Sequence, residues 1–271
     1  MVPSVELRDL SYSYFAAGQP ALRSCSFKVQ PGSCCAVLGP SGAGKTTLLQ
    51  VLSGIAGSQI TTSTAAGSLV VGDREFTPIP QRVLFPMVGF CMADSLVQVS
   101  GIKSTAADEV GFTLNNLGIT GPEYSSRLDT ALRNFTLTHL ADRHPDTLSG
   151  GELRRLMLAS VMVARPSLLL LDEPVSSLDS TTENLLASVL QSRNKNMTVI
   201  IADHQIDFAL RIADQFIVLD SGTVIFDGNK KDFLGSLPNF AHLLPTIRWQ
   251  ELMAAEPTAD LRPSIRRMIK P

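Results

Sequence analysis

Apolar residues along this chain fall into two patterns, short unbroken runs and longer stretches with helical spacing. Ala36 to Leu38 is one short run; Leu168 to Pro174 (LLLLDEP) and Thr198 to His204 (TVIIADH) contain two more. Their continuity predicts buried strands of the kind found in parallel sheets, with polar residues emerging at the strand ends. Helical spacing is plainest in Leu153, Leu156, Met157, Ser160, Val161 and Ala164, a series that Pro166 stops. A second helix is predicted from about Lys45 to Leu52, ahead of Gly54, and Pro122 opens another. Ser180 and Glu183 form a capping-box pattern for a helix to about Ser192. Val5 to Tyr14 reads as a strand. Ser58 to Ser68 reads as a polar loop before a strand at Leu69 to Val71, and Gln215 to Asp220 with Thr223 to Phe226 as a hairpin turning at Ser221 and Gly222. The alternation of strands and helices predicts an α/β fold.

With 271 residues, 44% of them hydrophobic, and a formal charge of −2, the chain suits one well-cored α/β unit with appendages. No apolar run approaches the roughly 18 to 20 residues of a membrane helix. The N-terminus enters strand-like sequence without a signal-peptide pattern, so a cytosolic chain is expected. Cys25, Cys34, Cys35 and Cys91 lack CxxC or zinc spacing and read as reduced core residues. Near-zero charge and the lack of a basic, aromatic-laced stretch predict no nucleic-acid binding. Beyond about Leu234 come Trp249 and a proline-punctuated tail with Arg262, Arg266, Arg267 and Lys270. That tail reads as solvated surface, with attraction to anionic lipid or to a partner as the other reading.

Chemistry concentrates in four segments. Residues 39 to 46 read GPSGAGKT, the phosphate-binding pattern GxxxxGK[ST], at a turn from strand to helix. Gly39, Gly42 and Gly44 let backbone N–H groups close around phosphate oxygens, and the helix that follows directs its positive end at the anion. Lys45 can reach the β- and γ-phosphates and the Thr46 hydroxyl can ligate Mg²⁺. LSGGE, from Leu148 to Glu152, offers a second anion site at a helix start, or an ordinary loop and helix cap. Asp172 and Glu173 emerge at a strand end, where one can hold Mg²⁺ and the other polarise a water, or where both are simply solvated. His204 ends the third run, and a lone histidine there can be structural.

Together and in this order, the segments resemble the ATP-binding-cassette family of transport ATPases over roughly residues 4 to 235. The resemblance implies a P-loop NTPase, RecA-like core with a parallel sheet and an N-terminal antiparallel β portion. A nucleotide-binding domain of residues 1–235 would include a helical subdomain at about 93–165 that carries the signature, with a C-terminal helical appendage and tail at 236–271. It implies ATP held by Gly39, Pro40, Ser41, Gly42, Ala43, Gly44, Lys45, Thr46 and Thr47 (Walker A), with Tyr14 stacked on adenine. Tyr12 and Tyr14 share one strand face, so core packing competes for one or both. Mg²⁺ would be held by Thr46 and Asp172, and catalysis would rest on Glu173, His204 and Lys45. In this family the signature of one cassette completes the ATP site of a second. Ser149, Gly150, Gly151 and Glu152 (usually Gln in the family) would therefore bind across a dimer, together with Asp179 of the D-loop Ser177, Leu178 and Asp179. A second ATPase subunit and an integral membrane transporter subunit are the implied partners, which puts the chain at the cytoplasmic face of the membrane. A soluble cassette acting as an ATP-driven clamp is the alternative.

Within the family, VGF at Val88 to Phe90, Gln98, and EVGFTLNNLGI at Glu109 to Ile119 resemble the ATPases of energy-coupling-factor transporters, importers of vitamins or of metal ions such as cobalt or nickel. One departure stands out. The family's Q-loop glutamine aligns with Ala93, which can neither sense Mg²⁺ nor hold a water. Either the site is slowed, or Asp94 or Gln98 takes over, or the family's register slips at this point.

Overall fold

The structure is a computed structural model, described for residues 2–14, 18–58, 64–76, 88–176, 178–192, 195–240 and 242–244. Ser177, Trp249, the basic tail and part of the loop expected at Ser58 to Ser68 lie outside the described residues. In chain order, β1 (Val5–Ser13), β2 (Leu22–Val29), β3 (Cys34–Leu38), α1 (Lys45–Leu52), α2 (Ile55–Ser58), β4 (Thr64–Val71) and β5 (Arg74–Phe76) come first. Next, β6 (Val88–Cys91) leads into α3 (Ser95–Gln98), α4 (Ala106–Asn116), α5 (Gly121–Asn134) and α6 (Gly150–Met162). The chain continues through β7 (Leu168–Asp172), α7 (Ser180–Gln191), β8 (Thr198–Asp203), α8 (Ile206–Ile212), β9 (Gln215–Asp220), β10 (Thr223–Asn229) and α9 (Lys230–Phe240).

Two sheets result. β2-β1-β4-β5 is antiparallel; β10-β9-β3-β8-β7-β6 is parallel except for β10. Every residue of β3, β7 and β8 is buried, which is why these strands read as unbroken apolar runs. Alternate side chains serve opposite faces. Ala36, Leu38, Leu169, Leu171, Val199 and Ile201 join the core under α4, α6 and α7. Cys35, Val37, Leu168, Leu170, Ile200 and Ala202 join Leu48, Leu49 and Leu52 of α1 and the inner face of the antiparallel sheet. The four cysteines are buried and stand outside any disulfide among the described residues. Among the described residues, no helix is long and apolar enough to cross a membrane.

Three local expectations change. β4 begins at Thr64, five residues ahead of Leu69, because Thr64, Ala65 and Ala66 pair with Ser13, Tyr12 and Ser11 of β1. Those small residues are exposed and carry no apolar alternation to mark them. The cap of α7 is Asp179, whose carboxylate accepts from Thr182 N at 2.9 Å, and not Ser180. An acidic residue one position earlier takes the free N–H groups first. Finally, α9 runs through residue 235, the expected domain edge, and buries Phe233, Leu237 and Phe240. Phe233 stacks on Phe216 of β9 at 4.5 Å. The β9–β10 hairpin turns as expected, with Ser221 and Gly222 both at positive φ (48° and 79°), the pattern of a two-residue type I′ loop.

Candidate active site

The loop from β3 to α1 needs glycine for space. A Cβ on Gly39 would sit 2.1 Å from Leu219 O, and one on Gly44, at φ 101°, 2.6 Å from Ala21 O. The loop therefore packs against the end of β9 and the start of β2. Lys45 is 6% exposed and donates from Nζ to Gly39 O and Pro40 O, both at 2.9 Å. Burial lowers its pKa, against the pull of Glu173, Asp172 and Asp203. Its cation thus rests on the loop's own carbonyls, close to the phosphate position the loop would create. The cleft here is about 200 Å³, lined by Ala21, Ser41, Gly42, Gly44, Lys45, Thr46, Thr47 and Glu173. A larger cavity of about 340 Å³, lined in part by Arg127, Phe135, Met162 and Val189, includes none of these residues.

Asp172, the last residue of β7, is 2% exposed. Burial raises its pKa, partly offset by a hydrogen bond from the Thr46 hydroxyl. Its Oδ1 is buried and lacks a hydrogen-bond partner among the described residues. A buried carboxylate oxygen left unsatisfied beside a hydroxyl fits a hard divalent cation, and Thr46 and Asp172 are the residues that would hold Mg²⁺. Among the described residues no cluster of three or more His, Cys, Asp or Glu could hold a metal, so phosphate oxygens and water would have to supply the remaining ligands.

Glu173 follows with φ +43°, a left-handed conformation that costs a non-glycine residue about 1–3 kcal/mol. Its surroundings impose it: Glu173 N donates to Ala202 O at 2.8 Å, and Glu173 O accepts from Ser176 Oγ at 2.9 Å and Arg154 Nη2 at 3.0 Å. The side chain lines the phosphate cleft, with Oε1 3.3 Å from His204 Nδ1. The backbone of His204 is set in turn by Asp203, whose Oδ1 accepts from His204 N (2.7 Å) and Gln205 N (2.9 Å). Asp203 is 1% exposed and burial raises its pKa. The sequence marks Asp203 only as the polar end of an apolar run, and its role as support for His204 is visible only in the fold.

The tyrosine pair separates cleanly. Tyr12 is 2% exposed and donates to Ala56 O, a core position. Tyr14 is part-buried beside the loop helix, its hydroxyl 3.0 Å from Thr47 Oγ1 and 2.8 Å from Gln50 Oε1. Ser149 caps α6 in a reciprocal capping box: Glu152 Oε2 accepts from Ser149 N (2.7 Å) and Oγ (2.8 Å), and these bonds hold the Glu152 carboxyl below its usual range. Gly150 and Gly151 stand at the start of the same helix. No signature residue lines the phosphate cleft. Near Ala93, the Asp94 carboxylate caps α3 by accepting from Leu96 N, and the Gln98 amide bridges Phe90 O and Met92 N. Both candidate substitutes for the missing glutamine are engaged locally.

Residues 22–176, more than half of the chain, match the family model described as ABC transporter. The chain belongs to the ABC transporter ATPase family. It is 34% identical over 262 residues to EcfA, an energy-coupling factor transporter ATP-binding protein of Methanothermobacter thermautotrophicus, spanning 90% of this chain and 80% of that one. The solved structure of cbiO1 from Clostridium perfringens, part of the ABC transporter complex cbiONQ, matches with a TM-score of 0.72 at 27% identity, covering 92% of this chain and 98% of that one. A dimeric ATP-binding cassette with ADP and Pi bound shares the fold, with a TM-score of 0.73 at 24% identity over 83% of this chain and 98% of its own. This chain is an ATP-binding, ATP-hydrolysing subunit of an ABC transporter, built on the P-loop NTPase fold.

Proposed function

We propose that this cassette powers an importer of the energy-coupling-factor type, carrying vitamins or transition-metal ions, from the cytoplasmic face of the membrane. The observation that carries the proposal is an apolar patch beside Ala93. Leu96, Val97 and Ile102 are 72%, 70% and 69% exposed, on the segment that joins β6 to the helical subdomain. Apolar side chains this exposed, within one short stretch of chain, support an interaction site. A cytoplasmic helix of a membrane subunit is the matching partner, and likeness to EcfA and cbiO1 over most of the chain supports the importer subtype.

ATP is the substrate. Its phosphates would lie along the amides of residues 39–46, where Lys45 exchanges the loop carbonyls for phosphate oxygens and neutralises charge that builds as the γ-phosphoryl leaves. Mg²⁺ bound by Thr46 and Asp172 would supply further neutralisation. Glu173 orients and polarises the attacking water; His204, within reach of Glu173 Oε1, contacts the γ-phosphate. Tyr14, beside Thr47, stacks on adenine. Ser149, Gly150, Gly151 and Glu152, with Asp179, complete the ATP site of a second cassette, so that binding closes a dimer and hydrolysis lets it reopen.

The test is affinity purification of the tagged Glu173→Gln chain from detergent-solubilised native membranes with MgATP, followed by mass spectrometry. Recovery of a polytopic membrane protein with a substrate-binding subunit is expected. Recovery of soluble proteins alone would replace the importer with an ATP-driven clamp.

A further inference from the structure

Arg154 is the buried polar group whose role the sequence least foretells. It lies one turn into α6, downstream of the signature, and is 3% exposed. Its hydrogen bonds go to backbone carbonyls and one hydroxyl. Nη2 donates to Asp172 O at 2.8 Å and Glu173 O at 3.0 Å, and Nε reaches Pro174 O at 3.4 Å. Nη1 donates to Met92 O, to Ala93 O at 3.2 Å and to Ser95 Oγ at 3.4 Å. The planar fork of five N–H donors thus spans two segments far apart in sequence, the loop after β6 and the turn after β7, just beyond the point where those strands stop pairing. One of those segments contains Ala93, where the family's glutamine is missing. The other contains the left-handed Glu173.

We propose that Arg154 is a positioning residue for ATP hydrolysis: it clamps the backbone at Met92–Ala93 to the backbone at Asp172–Pro174 and so holds Glu173 in line with the γ-phosphate without help from a side chain at position 93. A lysine cannot reproduce this, since three donors on a flexible stem cannot satisfy carbonyls on two segments at once. The clamp also joins α6, which begins at the signature, to the segment bearing Leu96 and Val97, so both move with the Glu173 turn. The inference rests on the reading of Glu173 as the water-polarising carboxylate, and is independent of which cargo or membrane partner the cassette serves.

The experiment compares the full chain with Arg154→Lys, Glu173→Gln and the double variant, measuring kcat, KM, affinity for a fluorescent ATP analogue and thermal unfolding. A displacement near 1 Å at a reacting group lowers turnover by about a hundredfold. Arg154→Lys is expected to lower kcat between about tenfold and a hundredfold while KM and analogue affinity stay within about twofold, and to change nothing further in the Glu173→Gln background, because both act through one group. An unchanged kcat, or equal losses in kcat and analogue affinity, would overturn the role of Arg154. Glu173→Gln turning over at the wild-type rate would instead overturn the reading of Glu173. Should Arg154→Lys fail to fold, hydrogen exchange on the Glu173→Gln chain decides: amides 92–95 and 173–176 gain protection together on MgATP addition if the clamp holds, and independent responses would overturn it.

Discussion

Asp172 shows what the site demands of a single residue. It is ionisable, 2% exposed, and one oxygen lacks a partner among the described residues; such a group destabilises the fold that contains it unless a cation arrives. Burial raises its carboxyl above the unfolded value, so the folded state binds that proton more tightly than the unfolded chain does. Ionised Asp172 therefore subtracts stability at neutral pH, and the penalty fades as pH falls through the raised value toward the ordinary carboxylate pKa of about 4. Asp172→Asn is expected to raise the nucleotide-free melting temperature at pH 7 and to lose Mg²⁺-dependent ATP turnover, with the stability gain shrinking as pH is lowered. Melting curves of the two proteins across a pH series check this; a gain that grew on acidification would contradict the burial argument. Stability surrendered at a reacting position is the usual trade in enzymes.

The segment from β6 to α4 depends on a few side-chain ties at the level of elements. Glu109, 4% exposed on α4, accepts from Ser100 N at 2.7 Å and Ser100 Oγ at 2.6 Å, and Gln98 bonds back to β6. Glu109→Ala leaves the Ser100 N–H unpaired at a part-buried position, at a cost of about 1–3 kcal/mol, and frees the stretch that carries Leu96, Val97 and Ile102. Loss of membrane-partner recovery together with retained ATP-analogue binding is the expected result, read by co-purification and fluorescence titration. How much of this was legible follows from what each residue contacts. β3, β7 and β8 could be read from sequence because burial on both faces leaves unbroken apolar runs, and α1 because the phosphate loop fixes its start. The phosphate loop and the Asp172–Glu173 pair could be read because their chemistry needs fixed local spacing. Glu109 and Arg154 could not, since their partners are set by the fold: Arg154 meets Met92 across 62 positions of sequence. Thr64 to Ala66 were missed for the opposite reason, being held by backbone pairing alone, which leaves no side-chain pattern.

For the molecule as a whole, the separation of the phosphate loop from the helix start at Ser149, the second proposed anion site, has the largest consequence. The cleft beside α1 is lined by the phosphate loop and Glu173 and by no residue of Ser149 to Glu152. The Ser149 hydroxyl and N–H are meanwhile occupied within their own chain by Glu152. In the dimer we propose, each place is half of a closed site, and a second cassette's Ser149 gives up the Glu152 carboxylate for the γ-phosphate. Exchanging one charge-assisted bond for another is close to neutral, so the phosphate contacts to both chains are left to drive association. With Glu173→Gln, which keeps binding and removes the polarising carboxylate, MgATP is expected to shift the purified chain from monomer to dimer in size-exclusion chromatography with light scattering. ADP should leave it monomeric, and adding Ser149→Arg should abolish the shift without changing ATP-analogue affinity for the monomer. A dimer that formed equally without nucleotide, or that survived Ser149→Arg, would mean that the chains associate through some other face and that the signature does not complete the site.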